Sequence, residues 1–299
     1  DAYGKLAGTG IFHPQVGTLN ISGNTTVSAP TGIEMRAGAL NITGKDVTVE
    51  STSEEFFSIS NGNGTTLGAV AVALSQHGTD FPLEANIAGG TFTAKKGGYA
   101  FYETDNQNTT AREEIAANIA GGAFTGGVES QNLKEFITGG TFGAALPVEY
   151  LGEGIAQQVG ESTVTVAAAE EIEAMSDSVA MLNGKTAFTT LQAAFDAAEG
   201  EATITLLKDI GSEQTPATET SSIVFDKAGA NVTFDLNGHS LYLTNGTVDV
   251  NNGLRFMIVR AGTVIVTNSQ QNGGVISSSG IPFRIAPDQK IEAKLILEK

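Results

Sequence analysis

Three stretches of this chain spell nearly the same hexapeptide: IAGGTF at 87–92, IAGGAF at 119–124 and ITGGTF at 137–142. An earlier echo lies upstream, where the heptapeptide GTLNISG at 17–23 is matched by GALNITG at 38–44, an offset of 21. The hexapeptides follow one another at offsets of 32 and 18. Repetition of this kind constrains the fold strongly, because each copy must occupy an equivalent place beside its neighbours. A phosphate-cradling loop is the competing use of paired glycines. Such a loop would feed a helix N-terminus and carry a lysine, and none of the three copies does so.

Within the copies the pattern is short alternation: Leu19 and Ile21 against Asn20 and Ser22, then Leu40 and Ile42 against Asn41 and Thr43. Period-two alternation punctuated by Gly or Asn predicts half-buried strands. Further strands are expected at 47–50, 68–74, 99–102 and 162–166, and again from 202 onwards. Helical spacing stands out at 190–199, where Leu191, Ala194, Phe195 and Ala198 share a face, Thr190 suits an N-cap and Gly200 a stop. Just before it, Asn183-Gly184 predicts a hairpin turn.

Strands without intervening helices allow a sandwich, a propeller or a solenoid, and the repeats select among them. Equivalent residues recurring once per turn of chain point to an all-β fold, a right-handed parallel β-helix (solenoid) in which each strand pairs with its counterpart in the next coil. Identical positions then pile into ladders. Asn20 with Asn41, and Asn86 with Asn118, are expected as corner ladders. Ile and Phe of each hexapeptide lie five positions apart, a spacing that buries both only if Gly-Gly turns the chain between them. A solenoid has open ends that need covers, so the short α-helix at 190–199 is expected as a cap. Two modules follow: 1–168 as the later coils of one β-helix, 169–178 as a linker, and 179–299 as a second module opening with the capping helix. The chain reads as part of something longer.

The formal net charge is −17, which opposes binding to nucleic acid or anionic membrane, since phosphate contacts need clustered Lys and Arg. No cysteine is present, so disulfides, thiol catalysis and Cys-ligated metal are excluded. No apolar run approaches the length that spans a bilayer.

The segment 180–210, VAMLNGKTAFTTLQAAFDAAEGEATITLLKDI, followed by VTFDLNGHSLYL at 232–243, resembles the opening of repetitive surface modules in gut Firmicutes. The GGTF rungs and ITGGTFGAALPVEYLGEGIAQQVGESTVTV at 137–166 resemble the way such modules end. The resemblance covers most of the chain. It implies a fold similar to the pectin-lyase-like right-handed β-helices, an adhesin-like role, and location outside the cell or on a Gram-positive wall. It carries no catalytic residues to this sequence.

Pectin-lyase-like folds also host polysaccharide lyases and glycosidases, the alternative reading here. Glycosidases need paired carboxylates about 5–10 Å apart. Of the candidate acids Glu34, Glu54, Glu55, Glu103 and Asp105, none recurs at the repeat spacing with a matching partner. His13, His77 and His239 show no metal spacing. The turns SNGNG at 60–64 and TDNQN at 104–108 lack the aspartates of calcium loops. No catalytic group, cofactor or metal is therefore expected. The irregular segment 95–114 fills the long interval between the first two hexapeptides, and insertions on one face are where repeat proteins tend to bind. Tyr102, Glu103, Asp105 and Arg112 are its candidate ligand-binding residues, for a host or microbial glycan or a surface protein. Tyr99 and Phe101 alternate with Ala100 and Tyr102, so one of these pairs is expected in the core. Phe56 and Phe57, being adjacent, cannot both point inward from one strand.

Overall fold

A computed structural model describes residues 8–58, 67–76, 81–105, 115–218, 221–244, 255–270, 272–287 and 291–298. Its contacts divide the chain into two units, Asp1–Ala168 and Ala169–Lys299. The secondary structure is predominantly strand, with largely parallel pairing and two short helices among the described residues.

In the first unit the Gly- and Asn-punctuated alternation becomes triplets of strands. β1 (Thr9–His13), β2 (Thr18–Ser22) and β3 (Thr26–Ala29) are followed by β4 (Thr31–Met35), β5 (Gly38–Thr43) and β6 (Thr48–Ser51). Each strand of the second triplet pairs in parallel with its counterpart in the first. A small antiparallel pair, β7 (Phe57–Ser58) with β8 (Leu67–Gly68), then interrupts the series. It resumes with β9 (Val70–Gln76) and β10 (Leu83–Thr93), and with β11 (Tyr99–Asp105) and β12 (Ile115–Thr125). In β10 the second and third strands of a triplet have fused into one bent strand. Leu83–Ile87 pairs with β5 and Thr91–Thr93 pairs with β6. β13 (Gly127–Ser130) and β14 (Gly140–Phe142) complete the series.

The register aligns the repeated residues. Ile21, Ile42, Ile87 and Ile119 face one another in successive strands, and a bridge carries the row to Ile137. Beside them, Asn41 Nδ2 donates to Asn20 Oδ1 at 2.9 Å and Asn86 Nδ2 to Asn41 Oδ1 at 3.2 Å. Asn86 is also in register with Asn118, so the two expected Asn pairs form one row joined at Asn41 and Asn86. Phe92, Phe124 and Phe142 make a third row, with ring centroids 4.6 and 5.0 Å apart and nearly parallel planes. Stacked pairs of this kind add about 0.5–1.5 kcal/mol each beyond the area they bury.

The Gly-Gly corner turns the chain between the Ile and Phe rows, and its two glycines act differently. Gly90, Gly122 and Gly140 have φ of +105°, +114° and +119°, beyond the left-handed region that other residues visit. Their partners are needed for closeness. A Cβ on Gly121 would lie 2.9 Å from the Ala88 carbonyl oxygen, and one on Gly139 2.6 Å from that of Ala120. The unit ends in an antiparallel hairpin, β15 (Ile155–Val159) and β16 (Val164–Ala168), with β16 pairing antiparallel to β14.

The second unit begins with α1 (Ala169–Glu173), whose Ile172 is fully buried. The segment expected as a linker is thus packed chain: Ser178 Oγ donates to the Ile172 carbonyl at 2.8 Å and Lys208 Nζ to that of Ser176 at 2.7 Å. β17 (Ala180–Leu182) and β18 (Thr186–Phe188) form the antiparallel hairpin, with Asn183 and Gly184 both at positive φ. α2 (Leu191–Ala197) follows, capped by Thr190 Oγ1, which accepts from Ala193 N at 3.2 Å. Then come β19 (Glu201–Leu206), β20 (Ala217–Thr218), β21 (Ile223–Asp235), β22 (Leu241–Thr244), β23 (Met257–Thr267), β24 (Ile276–Ser278), β25 (Phe283–Ile285) and β26 (Ala293–Leu297). Parallel pairing again links each strand to its counterpart about thirty residues on, as in β19–β21–β23 and β20–β22–β24.

β21 is bent, like β10, and only its second half pairs with β19. Over its first half lies α2. Phe195 meets Phe225 and Phe234 edge-on, with centroids 6.0 and 5.5 Å apart, and the aromatic series continues through Phe256 to Phe283.

Candidate ligand-binding surface

β11 carries three of the four residues singled out in the sequence. Strict alternation would place Tyr99 with Phe101 on one face. Instead β11 shifts register against β13 between Tyr99 and Phe101, where two steps on β11 meet one step from Gly127 to Val128. β9, which pairs with β11 without a shift, departs from alternation in the same way, with Ala71 and Val72 in the core and Val70 and Ala73 outside it. Ala100 and Phe101 both enter the core, while Tyr99 and Tyr102 are half-buried outside it.

There they meet Phe56. Its ring centroid is 4.8 Å from that of Tyr99 and 5.2 Å from that of Tyr102, and the two tyrosine rings are 4.9 Å apart. The three rings rest on Leu67, Val70 and Ala73, an apolar cluster separate from the main core. The Tyr102 hydroxyl is hydrogen-bonded to Thr104, and burial of the ring pushes its pKa above the ordinary tyrosine value. On the neighbouring strand, Glu129 stands in register with Tyr102 and is exposed. Thr104 Oγ1 donates to Gln131 Oε1 at 3.0 Å.

Glu103 has a different role from the one its sequence position invites. It is 1% exposed. Its Oε2 accepts from Ser130 Oγ at 2.8 Å, Gln131 N at 3.0 Å and Asn132 N at 2.8 Å, and its Oε1 accepts from Asn132 Nδ2 at 2.8 Å. A carboxylate so enclosed is an anchor for the turn at 130–133 and offers no face to a ligand in solvent. Asp105 closes β11, and its side chain lies outside the described set. Arg112 and the turns at 60–64 and 106–108 also lie outside the described residues. Phe56 and Tyr99 are what the sequence reading missed. Phe56 was visible only as half of a Phe-Phe pair, and Tyr99 as a core alternative.

The other candidate acids are dispersed. Glu34 is fully buried, with Oε1 3.1 Å from Arg36 Nε, and Arg36 in turn lies over the Phe12 ring at 5.4 Å. Glu54 is exposed and pairs with Lys95, whose pKa it raises through their hydrogen bond. Glu55 is exposed nearby. His13 Nδ1 is 3.2 Å from the Ala37 carbonyl, and His239 Nδ1 is 3.4 Å from Asp209 Oδ1. His77 is outside the described residues. Among the described residues no three His, Asp or Glu side chains converge as a metal site would require. In the second unit a cleft of about 500 Å³ opens between Thr190, Lys208 and Ser222, with Leu243 and Phe256 beneath.

No described helix is long and apolar enough to cross a membrane. No family model, curated protein or solved structure matches the chain.

Proposed function

We propose that both units are modules of a right-handed parallel β-helix, and that the protein is a non-catalytic, adhesin-like surface protein. It would be exported to a Gram-positive cell surface, as the resemblance to the surface modules of gut Firmicutes implies. There the stacked coils would space a binding face away from the wall and offer it to a glycan or protein. The observation that carries this reading is the register. Residues 20–21, 41–42, 86–87 and 118–119 repeat an Asn-Ile pair in successive parallel strands, which is how the coils of a solenoid stack. Right-handedness follows from the strong preference of parallel crossovers for that hand.

Two features favour binding over cleavage. The aromatic trio at Phe56, Tyr99 and Tyr102 offers contact area without a reactive group. The buried carboxylates of Glu34 and Glu103 are occupied by Arg36 and by the turn at 130–133. The test is a binding screen of the purified chain against mucins, neutral and acidic glycans and host surface proteins, with release of new sugar ends measured in parallel. Binding without release supports the proposal. Sustained release of sugar ends would overturn its non-catalytic part, and failure to bind any probe would overturn adhesion.

A further inference from the structure

Resting on that adhesive reading, we infer that the outer face of β11 is a saccharide platform on which a neutral pyranose stacks against Phe56, Tyr99 and Tyr102. Three aromatic rings with mutual centroid spacings of 4.8 to 5.2 Å, inclined at 48° to 75° to one another, form an apolar cluster in which one ring face can take a sugar ring while the others meet it edge-on. They are held by an apolar floor of their own, outside the main core, so the platform keeps its shape without a ligand. Sugar C–H groups pack on such rings, while the sugar hydroxyls need polar partners at the edge.

That edge is present. Glu129 stands in register with Tyr102 on the next strand, and the Tyr102–Thr104–Gln131 chain of hydrogen bonds runs beside it. A carboxylate accepts hydrogen bonds only, so the partner that suits Glu129 is a hydroxyl donor. An anionic sugar would meet Glu129 and a chain of net charge −17, which opposes sialylated or sulfated glycans. Neutral hexoses and N-acetylhexosamines have the required chemistry: one apolar face and a rim of donors.

The experiment is an array of neutral oligosaccharides (β-1,4-glucan, N-acetylglucosamine oligomers and galactose-terminated chains) beside their sialylated and sulfated counterparts. Wild type, Tyr102→Ala, Tyr99→Ala and Glu129→Lys are compared, with thermal unfolding of each recorded. Losing one stacking ring is expected to weaken binding to the neutral probe about tenfold. Glu129→Lys is an exposed change that leaves the rings in place. It is expected to weaken the neutral probe several-fold and improve anionic ones. Neutral-glycan binding that survives Tyr102→Ala and Glu129→Lys would overturn the platform while leaving adhesion intact. Preference of wild type for anionic glycans, or binding to proteins alone, would also overturn it. A chain that binds none of these glycans fails the platform, and the adhesive reading falls with it only if the host surface proteins of the screen above are not bound either.

Discussion

The side-chain amide of Gln192 holds both backbone groups of Val224: Oε1 accepts from Val224 N at 2.9 Å, and Nε2 donates to Val224 O at 3.1 Å. Val224 lies in the first half of β21, where pairing with β19 does not reach. An amide side chain has one acceptor and two donors, so it can satisfy a strand edge as a neighbouring peptide would. The first unit repeats the device at its far end, where Gln157 Oε1 accepts from Leu146 N and its Nε2 donates to Leu146 O, both at 2.9 Å. Gln192, brought into place by α2, thus stands in for a missing stretch of strand, while Gln157 makes the same pair of bonds to a loop residue.

Replacing Gln192 by Leu keeps the bulk and removes both bonds. Each is worth about 0.5–1.5 kcal/mol net, and an unsatisfied buried group costs more, so a loss of about 1–3 kcal/mol is expected by urea unfolding. Gln192→Glu is expected to be no better, because its carboxylate cannot donate to the Val224 carbonyl. Equal stability of wild type and Gln192→Leu would show that α2 needs only its Phe195 contacts.

Gly122→Ala at the repeated corner and Gly184→Ala in the β17–β18 hairpin separate two demands on glycine. Gly184 has φ +65° with nothing within 4 Å of a new Cβ, so alanine there is expected to cost about 1–2 kcal/mol. Gly122 has φ +114°, and a Cβ would lie 3.1 Å from the Phe92 ring and 3.2 Å from the Gly90 carbonyl oxygen. Its alanine variant is expected to lose about 3 kcal/mol or more. A thermal shift of the same size in both variants would contradict the distinction.

Glu103→Gln is nearly isosteric, yet it is expected to behave as a structural lesion. With its NH₂ toward the backbone amides of Gln131 and Asn132 the new side chain would meet donors, so it must turn its oxygen to them and its NH₂ to Asn132, whose own amide must then turn over to present Oδ1. A loss of about 1–3 kcal/mol follows from charge-assisted bonds replaced by neutral ones. Hydrogen exchange at Gln131 and Asn132 is expected to accelerate. Unchanged exchange there would return Glu103 to the pool of groups available to a ligand.

Burial pushes the phenols of Tyr102 and Tyr150 above the ordinary tyrosine value, and hydrogen bonding with Thr104 and from the Ser130 amide offsets part of the shift. Folded chain therefore keeps these protons longer than unfolded chain. Where the unfolded state binds fewer protons, stability falls as pH rises, so a decline is expected to set in above about pH 10. Ultraviolet titration checks it. Tyr102→Phe and Tyr150→Phe are each expected to remove one late-ionising group.

Much of the strand series was legible, because period-two alternation and turn residues are local. α2 with its Thr190 cap and the hairpin at Asn183 were legible for the same reason. The Ile and Asn rows were legible in part: the match of Asn20 with Asn41 is printed in the sequence. The stacking of Asn86 on Asn41 spans 45 residues and the interposed β7–β8 pair, which no fixed period reveals. The candidate surface was harder to read. Which tyrosines face outward follows a departure from alternation shared with β9, where Val70 and Ala73 lie outside the core and Ala71 and Val72 inside it, and strict period two does not foresee it. Glu103 reads as a surface acid until the turn at 130–133 closes over it. Gln157 and Gln192 carry no pattern at all, since a side chain that pairs with a backbone peptide is defined by the peptide it meets across the fold.

The stacked register is tested most directly by disulfide trapping, for which the cysteine-free chain gives a clean background. Paired cysteines would replace Asn20 with Asn41, Asn41 with Asn86, and Asn86 with Asn118. Facing Cα atoms in adjacent strands sit about 4.8 Å apart, inside the roughly 4.4–6.8 Å that a disulfide accepts. All three pairs are expected to oxidise within monomers under mild conditions, while Asn41→Cys with Ala85→Cys, displaced by one residue and facing the core, is expected to stay reduced. Failure of the Asn41–Asn86 pair, or efficient trapping of the displaced one, would contradict the stack.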